Sequence, residues 1–158
     1  MTVHAITPCL WFDGQAEEAA AFYCSLFKDS HIKQVSHYDD GPMAGQALTV
    51  DFELAGQPLQ ILNGGPIYTL SEAFSLSVSC DGQEEVDRLW EAFSADGGEP
   101  SQCGWIKDRF GVSWQIVPTA LPELLGDPDP ARAQRALAAM MQMSKLDVAA
   151  LRAAADGS

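Results

Sequence analysis

The chain has 158 residues, 47% of them hydrophobic, with four Trp and seven Phe, which suits one packed domain and argues against disorder. A formal net charge of −13 argues against nucleic acid or an anionic membrane surface as a partner. No apolar run approaches the ~20 residues of a membrane span. Residues 1–126 carry the whole negative balance, while residues 127–158 hold four acidic and four basic side chains. Met1-Thr2-Val3-His4 lacks the charged start of an export signal, and Cys9, Cys24, Cys80 and Cys103 show no C-x-x-C spacing. The expectation is a cytoplasmic protein with reduced thiols.

In chain order, residues 6–12 are β-branched and aromatic and predict a strand, which Asp13-Gly14 breaks. Residues 15–27 predict a helix with Ala16, Ala19, Ala20, Tyr23 and Phe27 on one stripe, widened by Phe22 and Leu26. Residues 31–38 predict a strand, followed by a Gly- and Pro-bearing loop. In residues 47–54, Leu48, Val50, Phe52 and Leu54 alternate with Thr49, Asp51 and Glu53. Ala55-Gly56-Gln57 turns the chain into a return strand over 58–62, and Asn63-Gly64-Gly65-Pro66 reads as a tight turn.

The second half opens on residues 74–80, where Phe74, Leu76, Val78 and Cys80 alternate with Ser75, Ser77 and Ser79. After Asp81-Gly82 a helix carries Val86, Leu89, Trp90 and Phe93 on one stripe and stops at Gly97-Gly98. A short extended piece over 99–102 leads into residues 103–118, a predicted hairpin with Asp108-Arg109-Phe110-Gly111 as its turn. Val112, Trp114 and Ile116 share its core face, so Gln115 points the other way. Further on, Asp129 and Pro130 predict a helix start, with Ala133, Leu137, Met140 and Met141 on the apolar stripe. Ser144-Lys145-Leu146-Asp147 predicts a second start leading to Val148 and Leu151. These stripes need burial, on the body of the chain or on a second protomer.

The two halves repeat. Asp13-Gly14-Gln15 with Glu17-Glu18 returns 68 residues later as Asp81-Gly82-Gln83 with Glu84-Glu85, in a similar order of strands. The fold class is therefore α+β: paired βαβββ modules, about 4–66 and 72–120, form a curved sheet around a central cleft. They make up a domain of residues 1–126, and residues 127–158 are a C-terminal helical extension. Matching Asp13 to Asp81 sets Thr7, Cys9 and Trp11 against Ser75, Ser77 and Ser79, and the strand pattern sets Gln60 against Gln115. The cleft would be lined by Thr7, Cys9, Trp11, Gln60, Ser75, Ser77 and Gln115, with helices on the outer faces.

Paired βαβββ units resemble the vicinal oxygen chelate superfamily, which includes glyoxalase I, bleomycin-resistance proteins and extradiol dioxygenases. Leu62-Asn63-Gly64-Gly65-Pro66, Gln83-Glu84-Glu85-Val86-Asp87-Arg88-Leu89-Trp90 and the 103–118 hairpin are similar to a PhnB-like subgroup often labelled 3-demethylubiquinone-9 3-methyltransferase. The superfamily resemblance implies a divalent metal in the cleft, held by four side chains of the first and last strands and polarising vicinal oxygens of a substrate. It also implies pairing into homodimers. On this chain the ligand positions fall on Gln60, Gln115, Thr7 or Cys9, and Ser75 or Ser77, with no histidine or carboxylate among them. No metal ligand and no cofactor are therefore expected, and a weak divalent site using Gln60 and Gln115 as neutral oxygen donors stays open. The methyltransferase label has no Gly-rich strand-to-helix loop to support it.

Each candidate also has a plain structural reading. The glutamines and serines suit solvated strand faces, Cys9 and Cys103 suit small core positions, and Trp11 and Trp105 suit packing. The sharper readings are an aromatic wall for a planar ligand at Trp11 and Trp105, and a general base at Asp51. His4, His31 and His37 have no ligand spacing. Three functions follow: a metal-independent pocket for a small, partly planar organic molecule; a metal-dependent lyase, isomerase or dioxygenase; and a sequestering protein comparable to bleomycin-resistance proteins.

Overall fold

A computed structural model describes residues 6–158, so His4 lies outside the described residues. The chain forms two compact units, residues 1–70 and 71–158. The first unit consists of β1 (Cys9–Phe12), α1 (Ala16–Leu26), β2 (His31–His37), β3 (Ala47–Leu54) and β4 (Gln57–Asn63). Its sheet runs in the order β1-β4-β3-β2, with β4 parallel to β1 and antiparallel to β3. The second repeats the plan with β5 (Leu76–Cys80), α2 (Gln83–Ser94), β6 (Glu99–Pro100), β7 (Trp105–Lys107) and β8 (Ser113–Pro118). Its order, β5-β8-β7-β6, matches strand for strand, so the repeat read from Asp13 and Asp81 is a structural one.

Alternation along the strands decides which face each helix covers. In the first unit Leu10, Phe12, Val50, Phe52, Leu59 and Ile61 are buried together with Ala16, Ala19, Ala20 and Tyr23 of α1. Tyr23 stacks on Phe52 at 6.4 Å between ring centroids. In the second unit Val86, Leu89 and Phe93 of α2 are buried with Ile106, Val112, Trp114 and Ile116. Phe93 stacks on Trp114 at 4.5 Å. Each buried Val, Leu, Ile or Phe among them contributes about 1.5–3 kcal/mol through its removal from water. The paired glutamates lie in the first turn of each helix, where carboxylates meet the positive end of the helix dipole.

Two strands start later than the sequence pattern suggests. β1 begins at Cys9 because Pro8 has no N–H to give the ladder; its carbonyl still accepts from Gln60 N at 3.0 Å. β5 begins at Leu76 because a turn with Phe74 N donating to Ser71 O precedes it. Thr7 and Ser75 thus stand just outside their strands. The first arm of the hairpin is also shorter, since Cys103 and Gly104 have φ values of 58° and 82° and belong to a loop.

The C-terminal helices α3 (Ala120–Leu125), α4 (Pro130–Met140) and α5 (Val148–Asp156) belong to the second unit. Asp129 caps α4 and Asp147 caps α5. Their core is Leu121, Leu124, Ala136, Leu146, Leu151 and Ala155, with Val117 of β8 packed against it. The apolar side of α5 is therefore buried within the chain. The stripe of α4 differs from expectation: Ala136 is its buried residue, while Leu137 and Met141 are exposed. Alanines at the contact let α4 and α5 approach closely, which the larger side chains would prevent. No helix of the described residues is long and apolar enough to cross a membrane.

Candidate functional site

The face of each sheet opposite its helix mixes polar and aromatic side chains, and a glutamine stands at its middle. In the first unit Gln60 pairs with Cys9 on one side and Asp51 on the other. Residues directly opposite in a sheet share a face, so Cys9, Gln60 and Asp51 form one row. Trp11, Leu62 and Thr49 form the next row. In the second unit Gln115 pairs with Ser77 and with Trp105. The two rows occupy equivalent registers, which supports the match of Cys9 to Ser77 and of Gln60 to Gln115.

The glutamines are held by specific partners. Gln60 Nε2 donates to Asp51 Oδ1 at 2.6 Å, and Gln115 Nε2 donates to Ser75 Oγ at 2.9 Å. Both amides thereby have a fixed orientation. Gln60, Gln115, Asp51, Trp105, Trp11 and Ser75 are half-buried, whereas Thr7, Cys9 and Ser77 are exposed. Although Cys9 as a residue is exposed, partial burial of its thiol pushes its pKa up, and the Asp51 carboxylate adds to that shift. The thiol is kept in its neutral form.

Trp11 has a defined seat. Its Nε1 donates to Gly65 O at 2.7 Å, and its ring meets Tyr68 edge-on at 4.9 Å. A Cβ on Gly64 would stand 2.2–2.5 Å from atoms of the Trp11 ring, so this glycine lets the backbone pass beneath the indole. Asn63-Gly64-Gly65-Pro66 leads into no helix and forms a floor for Trp11.

Two buried polar residues escaped the sequence reading. Asn63 lies under the start of α1, where its Oδ1 accepts from Ala16 N at 3.1 Å and its Nδ2 donates to Ala47 O at 2.9 Å. Asp108 is only 3% exposed. Its Oδ1 accepts from Phe110 N at 2.9 Å and Val112 N at 3.0 Å, and its Oδ2 from Trp114 Nε1 at 2.8 Å. The residue read as a turn opener is thus the anchor of the whole hairpin. The Asp-x-x-Gly spacing before an alternating strand marked the turn, but nothing in it marked the burial. Beside Gln115, the buried Ser113 hydroxyl has no hydrogen-bond partner among the described residues.

Position by position, the residues that the superfamily resemblance would make metal ligands do not fit a resident divalent cation. Gln60 and Gln115 offer neutral amide oxygens, Thr7, Ser75 and Ser77 offer hydroxyls, and Cys9 offers a thiol rather than a thiolate. Such donors poorly offset the loss of an ion's hydration shell. Among the described residues no group of three or more His, Cys, Asp and Glu is arranged to hold a metal.

Two βαβββ units with equivalent sheet orders define a glyoxalase-like, vicinal oxygen chelate fold. Within it, the chain belongs to the 3-demethylubiquinone-9 3-methyltransferase (PhnB-like) family, whose sequence profile matches residues 4–117. It is similar to a Bacillus cereus protein described as a PhnB protein of that methyltransferase type, with 35% identity and a TM-score of 0.68. That match covers 73% of this chain and 100% of the other. The fold is shared with a Pseudomonas aeruginosa protein at 22% identity and a TM-score of 0.57, over 71% of this chain and 95% of that one. It is shared too with the fosfomycin resistance protein FosX of Listeria monocytogenes, at 17% identity and a TM-score of 0.52, over 72% and 91% of the two chains. No curated protein matches the sequence significantly.

Proposed function

We propose that this protein binds a small, partly planar organic molecule on the faces centred on Gln60 and Gln115, without a tightly held metal. The observation that carries this reading is the fixed pose of the two glutamine amides, each tied through Nε2 to a neighbouring side chain. That pose leaves each amide oxygen as a preset acceptor for a ligand N–H or O–H. Trp105 beside Gln115 and Trp11 one row from Gln60 supply flat apolar surface for a ring. Asp51 adds a carboxylate able to accept a ligand proton. The family's methyltransferase name gains no support from these residues. Pairing of two chains and a cytoplasmic location belong to the same proposal, the pairing to be checked by light scattering.

The test is a library of small aromatic and carbonyl-bearing fragments, screened by ligand-observed NMR against the wild type and against Gln60→Leu and Gln115→Leu. Hits are expected to bind the wild type and to weaken at least about tenfold, roughly 1.4 kcal/mol, in one or both variants. Fragment binding that is indifferent to both substitutions would place the ligand site elsewhere. A turnover assay on the same hits separates a catalyst from a protein whose task ends at binding.

A further inference from the structure

The family profile ends at residue 117, and the B. cereus chain is matched in full by 73% of this one. The segment that follows lies beyond the profile's match, yet it bonds to the loop that leads into β7, a strand of the candidate site. Cys103 N donates to Met143 O at 2.8 Å and Gly104 N to Ser144 O at 2.8 Å. The Ser144 hydroxyl donates to Ser101 O. Leu146 is fully buried and rests on Gly104, where any Cβ would meet Leu146 Cδ1 and Ile116 O at under 3 Å. Gly104 O in turn accepts from Ile116 N at 2.8 Å, one residue beyond Gln115. Trp105, the next residue after Gly104, is the strand partner of Gln115.

The same segment is fastened on its other side. Gln83 at the start of α2 donates through Nε2 to Leu146 O at 3.0 Å and accepts through Oε1 from Val148 N at 2.8 Å. Lys145 pairs with Asp87 one turn along α2. Residues 143–148 therefore lie strapped between α2 and the loop 101–104. Two positive-φ residues in succession, Cys103 and Gly104, leave that loop with a backbone shape that needs outside support.

We propose that Leu146 and the strap around it are positioning elements of the Gln115 site, setting the pose of Trp105 and Gln115 through Gly104. The proposal rests on the reading of Gln115 as a ligand-binding residue, but its test needs no ligand. In the ¹⁵N-labelled full chain, the side-chain amide of Gln115 is assigned by its loss in Gln115→Glu. In Leu146→Ala this signal is expected to shift or broaden, and exchange of the Ile116 amide hydrogen to quicken by about tenfold or more. Leu146→Met should restore both, and Arg152→Ala, at an exposed position of α5 outside the strap, should change neither. If Leu146→Ala fails to fold, Gln83→Ala releases the same strap and should give the same pair of changes. A folded Leu146→Ala or Gln83→Ala with the Gln115 amide signal and Ile116 exchange unaltered would overturn the inference. Should the fragment screen find no dependence on Gln115 while these changes appear, the coupling stands and the assignment of the binding site fails.

Discussion

Replacing Asp108 by alanine tests how the hairpin that presents Gln115 is held. The carboxylate is 3% exposed and accepts from two backbone N–H groups and the Trp114 indole. Alanine leaves the Val112 N–H and the Trp114 Nε1–H buried without this acceptor, at about 1–3 kcal/mol for each. The Phe110 N–H is partly exposed and can turn to water. Relief from burying a carboxylate offsets some of the loss, so the expected net destabilisation is about 2–5 kcal/mol. For a chain of this size that corresponds to a fall in melting temperature of about 5–15 °C. Asp108→Asn keeps an acceptor for the backbone groups but turns an amide N–H₂ toward the indole donor, and should lose about half as much. Thermal and urea unfolding followed by near-UV circular dichroism, which reports the stacked Trp114, is the assay. An alanine variant within about 1 kcal/mol of the wild type would refute the anchoring role.

Ser113→Ala removes a buried hydroxyl that has no partner among the described residues, and should be neutral or stabilising by up to about 1 kcal/mol in urea unfolding. The Cys9 thiol, pushed up first by burial and then by Asp51, should alkylate more slowly at pH 8 than a free cysteine. Asp51→Asn lowers that pKa and should quicken the reaction, though not to the free rate because burial remains; no change on substitution would contradict the coupling. Asp87 is held below its ordinary value of 3.8 by Lys145 first and Gln83 second. Its contribution is therefore fully present above that value and is lost as pH falls below it through the folded-state pKa. Because the pair is half exposed, Asp87→Asn should cost under about 1 kcal/mol at pH 7 and less at pH 2, by urea unfolding at the two pH values.

Much of the fold was legible because strand alternation and the paired Asp-Gly-Gln motifs both report a local periodicity that burial then follows. Trp114 and Gln115 fell on the faces that alternation assigns them, and the register of Gln60 with Cys9 repeats that of Gln115 with Ser77. What local pattern could not carry lay in long-range contacts. Asn63 and Asp108 are residue types usually met at the surface, and only a helix start 47 residues away and an indole across the turn make them core. The stripe of α4 was misread because large apolar residues draw a periodicity argument, whereas a close helix pair buries Ala136 and exposes Leu137. The bonds of Gln60 to Asp51 and of Gln115 to Ser75 likewise depend on strand pairing.

The most direct test of metal-independent binding is the metal content of protein purified without chelator and without added metal, measured by elemental analysis. The neutral donors at Gln60, Gln115, Ser75 and Ser77, with the protonated Cys9 thiol, predict well below one Ni, Zn, Mn or Fe per chain. About one ion per chain, lost in Gln60→Leu and Gln115→Leu, would contradict the account and make a metal-dependent enzyme the leading reading.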